Sequence, residues 1–452
     1  MPRIRDELRA LSRLTGPLLL TQLGQMLLGV VDTAVVGRLG EVPLAAVGLA
    51  GTVFFTITVL GFGWMLALDP LIAQAVGAGE RTRARELLWQ GGWVAAVGTV
   101  PLTGLVLAFG ESLGLMGNPP AAVAEAQPYL YARLVGLLPF LALAAGRAFL
   151  QAHELTRPLV VSVIVANVLN LPLTWWLVHG DGGLEALGLA PVGFAGLGTA
   201  GAGWASTVAT LVQLGVVLFA VRALWPRDVP RVHRPERAAV LRVLRLGTPI
   251  GLQLAAEVGS FAIATVLIGN LGTRPLSAHN VAITWISVTF QVAIAVGSAT
   301  AVRVGHAIGR ADAPGTRRAG LTGIASGAVA MIGGALVFLW VPSGLARVLT
   351  DEPGVIEATV PLLAVAAAFQ LSDGVQAVAA GALRGAGDTR WPLVANLVGH
   401  YAIGVPLGAS LAFVAGWGAT GVWWGLSAGL TAVAVALTVR FGWLSRRPIA
   451  RA

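Results

Sequence analysis

No cysteine occurs anywhere in this 452-residue chain, which removes disulfides, thiol catalysis and cysteine metal sites from consideration. Charge is almost as scarce. Charged residues make up 11% of the chain against 56% hydrophobic ones, too few to cover the surface of a protein dissolved in water. Lysine is missing as well, so all 30 basic residues are arginine. The signatures of several chemistries are also lacking. There is no phosphate-binding P-loop and no His-Glu-x-x-His run, and the Gly-x-Ser-x-Gly spacing at Gly425 to Gly429 lies inside a long apolar run, not at the strand-to-helix turn of a nucleophile elbow. ATP hydrolysis, membrane proteolysis and lipase chemistry therefore have no support, and an enzyme is not expected.

What is present suits a bilayer. A helix needs about 20 residues to cross the hydrocarbon core, so a chain of this length holds about a dozen spans and no large soluble domain. Apolar runs such as Gly136 to Leu150 and Leu321 to Val341 lack the two-residue alternation of a membrane β-barrel. The expected fold class is an all-α integral membrane protein of twelve transmembrane helices. Between polar breaks the spans fall near 14–38, 43–76, 87–110, 128–150, 158–179 and 191–222, then 247–271, 276–308, 319–342, 357–384, 391–415 and 418–443.

With the N-terminus inside, 26 of the 30 arginines fall in cytoplasmic segments and only Arg38, Arg133, Arg274 and Arg347 fall outside. This bias orients the chain by the positive-inside rule, with both termini cytoplasmic. The net charge of +9 is thus topological. No nucleic-acid partner is expected, because that would need basic and aromatic residues together on a solvated face. The Arg-rich start (Arg3, Arg5, Arg9, Arg13) precedes no small-residue cleavage site and reads as the lead into a retained first helix.

The longest polar stretch, Arg222 to Arg245 with Pro226, Pro230 and Pro235, sits near the middle. It divides the chain into an N-lobe (1–222), a cytoplasmic linker (223–246) and a C-lobe (247–452). Self-comparison aligns the halves at an offset of 232 residues: Pro17 with Pro249, Leu39-Gly40 with Leu271-Gly272, Ala75 with Ala307 and Gly77 with Gly309. Six spans per half is an even number, so the repeat is parallel. Transporters built this way place substrate between their halves.

Four acidic residues fall inside predicted spans: Asp32, Asp69, Glu257 and Asp373. An ionised carboxylate at mid-bilayer costs about 3 kcal/mol on insertion scales, so each is expected to face a wet cavity and bind something. Glu257 and Asp373 lie ten and eleven residues from the inner ends of their spans, a shared depth of about 15–17 Å. They are expected to face one C-lobe cavity and hold a proton or a Na⁺ ion between them. The competing reading is that neighbouring helices hydrogen-bond each one separately.

Asp32 lies deeper, about 27 Å from the inner face. Asn167, Asn170, Thr199, Ser206 and Thr207 are candidates to supply neutral oxygens around it, although such residues equally serve as plain interhelical hydrogen bonds. Asp69 precedes Pro70, whose missing N–H favours a structural or gating role. His279 and His306, at opposite ends of the eighth span, read as hydrogen-bonding residues without metal-ligand spacing.

Several runs together resemble the multidrug and toxic compound extrusion (MATE) transporters. They are Gln22-Leu23 with Val31-Asp32-Thr33-Ala34-Val35-Val36-Gly37-Arg38-Leu39-Gly40, Leu44-Ala45-Ala46-Val47-Gly48, and Gln74-Ala75-Val76-Gly77-Ala78-Gly79. In the second half they are Ala278-His279-Asn280-Val281-Ala282, Ala301 to Gly309 and Ala380 to Thr389. With Glu257 and Asp373 in its seventh and tenth spans and Asp32 in its first, the chain looks like the NorM branch. The resemblance implies a V-shaped pair of six-helix bundles. It implies a monomer in the inner membrane that exports drug-like organic cations against inward Na⁺ or H⁺, with no cofactor. Asp32, Glu257 and Asp373 would be its coupling and substrate-binding carboxylates, and Glu257 and Asp373 the Na⁺ ligands if Na⁺ couples. A lipid-linked oligosaccharide flippase of related architecture is the rival reading; its pyrophosphate calls for basic residues in mid-membrane.

Overall fold

The computed structural model describes residues 4–186, 188, 190–224 and 234–452. Arg3 and the linker residues Pro226, Arg227, Pro230 and Arg231 lie outside the described residues. No strand occurs among those described, and eleven helices are long and apolar enough to cross a membrane, twelve when one bent pair is taken as a single span. In chain order they are α1 (Ile4–Leu39), α2 (Glu41–Gly77), α3 (Arg81–Ser112), α4 (Pro120–Val135 with Leu137–Ala152), α5 (Arg157–Glu185) and α6 (Thr199–Ala223). Then follow α7 (Arg237–Gly269), α8 (Thr273–Gly309), α9 (Ala313–Trp340), α10 (Pro353–Gly385), α11 (Arg390–Val414) and α12 (Gly418–Leu444). The chain is a multi-pass membrane protein. Exposed residues such as Val97, Val100, Phe219, Val329 and Val439 give its spans the apolar outer faces that lipid requires.

Span boundaries shift from expectation for local reasons. α1 starts at Ile4, ten residues early, because Glu7, Leu11 and Leu14 recur at helical spacing and are all buried. α4 starts at Pro120, a residue suited to the first helical turn, and bends by 46° at Gly136. Pro139 explains the bend, since it supplies no N–H to the carbonyl of Val135. α6 starts only at Thr199. The preceding residues form a loop in which the Asp181 carboxylate accepts the backbone N–H groups of Val192, Gly193 and Phe194 at 2.8–2.9 Å. In α2 the helix is interrupted at Ala67, three residues before Pro70. Pro70 lacks the N–H that the Leu66 carbonyl would accept, so the expected break occurs there.

Backbone contacts group the chain into two units: 1–19, 69–81 and 248–452 in the first, 20–68 and 82–247 in the second. The first has a core of interlocking aromatics, with Phe369 edge-on to Trp423 at 5.9 Å and to Phe261 at 6.1 Å. His279 meets Trp423 at 5.6 Å and shares a 3.0 Å hydrogen bond with Thr265 Oγ1, as the sequence reading of a hydrogen-bonding histidine expects. Its motif glycines are contact points. A Cβ on Gly77 would meet the His306 carbonyl oxygen at 2.4 Å, and one on Gly309 would meet the Gln74 carbonyl oxygen at 2.2 Å. Gln74 Nε2 also donates to the Gly385 carbonyl at 3.0 Å, so three Gly-rich inner turns meet at one place.

Candidate functional site

Within the second unit, Asp32 is buried on α1 and surrounded by neutral donors from two other helices. Ser206 Oγ on α6 donates to Asp32 Oδ2, and from α5 Thr174 Oγ1 and Asn170 Nδ2 approach Oδ1 at 3.3 Å and 3.5 Å. Asn170 and Thr174 lie four residues apart and so share one helix face. That spacing was the available signal for Thr174, which the sequence analysis does not single out. Asn167 goes elsewhere, donating to the carbonyls of Gly24 at 2.9 Å and Val163 at 2.8 Å. Thr199 bonds to the Glu125 carbonyl and carboxylate at 2.9 Å and 2.8 Å, and Thr207 to the Ala132 carbonyl at 2.8 Å. Of the five polar candidates, Asn170 and Ser206 reach Asp32, while Asn167, Thr199 and Thr207 dock helices.

The first unit brings together the other two carboxylates. Asp373 on α10 is buried, and Glu257 on α7 is half-buried within electrostatic reach of it. Gln376, one turn beyond Asp373, directs Nε2 to Glu257 Oε2 at 3.4 Å and keeps a buried Oε1 with no hydrogen-bond partner. From α11, Tyr401 Oη donates to the Ala256 carbonyl at 2.8 Å, which anchors the residue beside Glu257. Neither Glu257 nor Asp373 forms an ion pair with an arginine among the described residues. Two carboxylates thus lie within electrostatic reach of each other inside the helical spans, with one amide directed to Glu257. No group of three or more His, Asp or Glu side chains with metal-binding geometry occurs among the described residues.

A family model described as MatE matches residues 17–176 and 249–409, most of the chain. The chain belongs to the MatE family. The two matches begin 232 residues apart, the offset found by self-comparison. Among curated relatives of this MatE chain, the "Probable multidrug resistance protein NorM" of Bradyrhizobium diazoefficiens is 36% identical over 98% of this chain and 95% of its own length. The "Multidrug resistance protein MdtK" of Pectobacterium atrosepticum is 34% identical over 100% and 98%. The fold matches solved MATE structures: the eukaryotic transporter AtDTX14 (TM-score 0.85, 23% identity, 98% of each chain) and VcmN of Vibrio cholerae in its bent form (0.84, 21%, 98% of each).

In MatE terms the inner-turn motifs are the packing points described above, and Asp69 belongs with them. It is buried at the Ala67 break, within electrostatic reach of Arg384 on α10. The boundary between the two units falls between Leu68 and Asp69.

Proposed function

We propose that this chain is a secondary active multidrug exporter that exchanges drug-like organic cations and other amphipathic molecules for Na⁺ or H⁺ by alternating access. The observation that carries the reading is the Glu257–Asp373 pair, two membrane-embedded carboxylates without a resident basic partner. The names of the NorM and MdtK relatives supply the substrate class. On this reading the protein works as a monomer in the inner membrane, with both termini cytoplasmic and lobes of 1–222 and 247–452 joined by 223–246.

Coupling works by population shift. A cation on the carboxylates favours one conformation and a drug favours the other, so each promotes release of its counterpart. Glu257 and Asp373 hold the coupling ion, or one proton shared between them. Asp32, with Asn170, Thr174 and Ser206, forms a second cation-responsive site. Asp69 and Pro70 mark the place in α2 where the chain passes from one unit to the other, and they serve gating.

The test is drug efflux from proteoliposomes under imposed Na⁺ and pH gradients, separately, for the wild type and for Asp32→Asn, Glu257→Gln and Asp373→Asn at matched protein levels. Loss of gradient-driven efflux in the variants is expected. Full efflux in all three would end the proposal, and the gradient that drives the wild type names the ion.

A further inference from the structure

The first turns of α1 border a cavity that neither carboxylate site uses. Leu8, Leu11, Ser12 and Thr15 stand at positions i, i+3, i+4 and i+7, so they share one helix face. With Arg9, Val296 on α8 and Ser326 on α9, that face encloses about 360 Å³, a volume in the range of ligand sites. All of these residues belong to the first unit. Leu8, Arg9 and Ser12 are exposed and form the mouth, while Leu11 and Val296 are buried and form the wall.

The depth of the cavity follows from the helices around it. Val296 stands thirteen residues before the end of α8 at Gly309, and Ser326 thirteen residues after the start of α9 at Ala313. Both are therefore about 20 Å from helix ends that carry Arg303, Arg310, Arg317 and Arg318. Glu7 ties α1 to Arg303, six residues or about 9 Å from the end of α8. The mouth at Leu8 and Arg9 thus sits near the level of the basic residues, and the floor at Thr15, Val296 and Ser326 lies about 10 Å deeper among apolar spans.

Two polar groups of the cavity are left open. Among the described residues the Arg9 side chain makes no hydrogen bond and no ion pair, and Arg5 and Arg13, four residues to either side, form no ion pair either. The nearby Glu7 carboxylate is taken up by Arg303. Of the three lining hydroxyls, Ser12 Oγ donates to the Arg9 carbonyl at 3.0 Å and Ser326 Oγ to the Thr322 carbonyl at 2.8 Å. Thr15 Oγ1 is buried and has no hydrogen-bond partner, a condition that folded proteins keep rare. A free cation at the mouth, an unpaired hydroxyl in depth and an apolar wall reproduce the order of groups along a phospholipid: phosphate, ester carbonyl, acyl chain.

We propose that this cavity binds one anionic phospholipid from the leaflet on the arginine-rich side, with its phosphate on Arg9, an ester carbonyl accepting from Thr15 Oγ1 and an acyl chain along Leu8, Leu11 and Val296. The unpaired row of Arg5, Arg9 and Arg13 favours a net-negative headgroup over a zwitterionic one. The bound lipid joins α1 to α8 and α9 beside the Glu7–Arg303 pair. The site requires only that the chain lie in a bilayer, whatever it exports.

The test titrates the purified full chain in detergent with dioleoyl phosphatidylglycerol, dioleoyl phosphatidylcholine and glycerol phosphate, counting bound molecules by native mass spectrometry. The wild type is expected to hold one phosphatidylglycerol about tenfold more tightly than phosphatidylcholine. Glycerol phosphate, which has the charge without the chains, is expected not to displace it. Arg9→Gln is expected to raise the Kd for phosphatidylglycerol about tenfold, and Ser12→Phe, which fills the mouth, to remove the saturable site. Arg317→Gln takes the same charge from an exposed position outside the cavity, so its Kd is expected to stay within about twofold of the wild type. Tm in lipid-free detergent verifies that each variant is folded. If Ser12→Phe is not, Arg9→Gln, a change to an exposed side chain, carries the test.

Equal weakening by Arg9→Gln and Arg317→Gln would show a diffuse attraction of lipid to a basic surface and overturns the proposal. So do equal affinities for the two lipids, displacement by glycerol phosphate, which would make this a site for free phosphate, and a saturable site that persists in folded Ser12→Phe. Each of these outcomes leaves the export reading as it stands, since that reading is tested by efflux.

Discussion

Gln376 Nε2 lies 3.4 Å from Glu257 Oε2, and Gln376 stands one turn along α10 from Asp373. The amide therefore stands beside both carboxylates, one as its acceptor and one as its neighbour on the helix. It donates to Glu257 and, being neutral, brings no charge to balance the carboxylate.

Gln376→Ala is expected to weaken ion-coupled efflux by about three- to tenfold, the loss of one ordinary hydrogen bond of about 1 kcal/mol, since the contact is long at 3.4 Å. Glu257→Gln and Asp373→Asn are expected to abolish its dependence on the imposed gradient. Initial rates in proteoliposomes, with and without the gradient, distinguish the two results. Equal effects from all three changes would show that Gln376 does more than orient Glu257.

Around Asp32 the hydrogen bonds separate two kinds of polar neighbour. Ser206→Ala removes a direct donor and is expected to lower efflux by about fivefold to 100-fold, in line with about 1–3 kcal/mol for a buried group left short of a partner. Asn167→Ala removes bonds to Gly24 and Val163 only, so it is expected to lower thermal stability while keeping gradient dependence. Tm in detergent and efflux, measured on the same preparations, check both.

The inner-turn glycines differ sharply from glycines that face open space, such as Gly48. Gly77→Ala and Gly309→Ala each place a methyl group against a backbone carbonyl at 2.4 Å and 2.2 Å, which is expected to cost about 1–3 kcal/mol or more of overpacking. Gly48→Ala meets nothing within 4 Å, so its Tm is expected to match the wild type or rise slightly, since alanine suits a helix better. Thermal unfolding followed by intrinsic fluorescence is the measurement.

Glu7 and Arg303 form a two-pronged ion pair at 2.9 Å and 3.0 Å, joining the early turns of α1 to α8. Removing one partner of a largely buried pair deprives the other of both prongs of this contact. Glu7→Gln is therefore expected to cost about 3 kcal/mol, and Glu7→Gln with Arg303→Gln less than the sum of the single changes. A double-mutant cycle on unfolding midpoints would show no coupling if the pair is incidental.

Much of this protein was legible from residue types and their order. Solvent class, helix count and the positions of Asp32, Glu257 and Asp373 along their spans follow from apolar run length and the rarity of charge in those runs. Glu257 and Asp373 were expected at a common depth, and that needs only the rise per residue of a helix. Prolines 119 and 120 were the overlooked signal for the start of α4, since proline suits the first helical turn. Thr174 and Gln376 were one helical turn from residues already singled out.

What composition, periodicity and charge distribution determined alone is that this chain lives in a bilayer as about a dozen helices and carries four costly carboxylates inside them. The tertiary structure decided which side chains meet those carboxylates: Ser206 but not Thr207 and Asn170 but not Asn167 at Asp32, Gln376 at Glu257, and Arg384 within electrostatic reach of Asp69. It also placed residues 1–19 and 69–81 in one unit with 248–452. The reason is one of range. Helical spans and their faces arise from neighbours within a few turns, whereas contacts between helices depend on rotation and close approach. Those are set at points such as Gly77, Gly203 and Gly309, far along the chain from the groups they bring together.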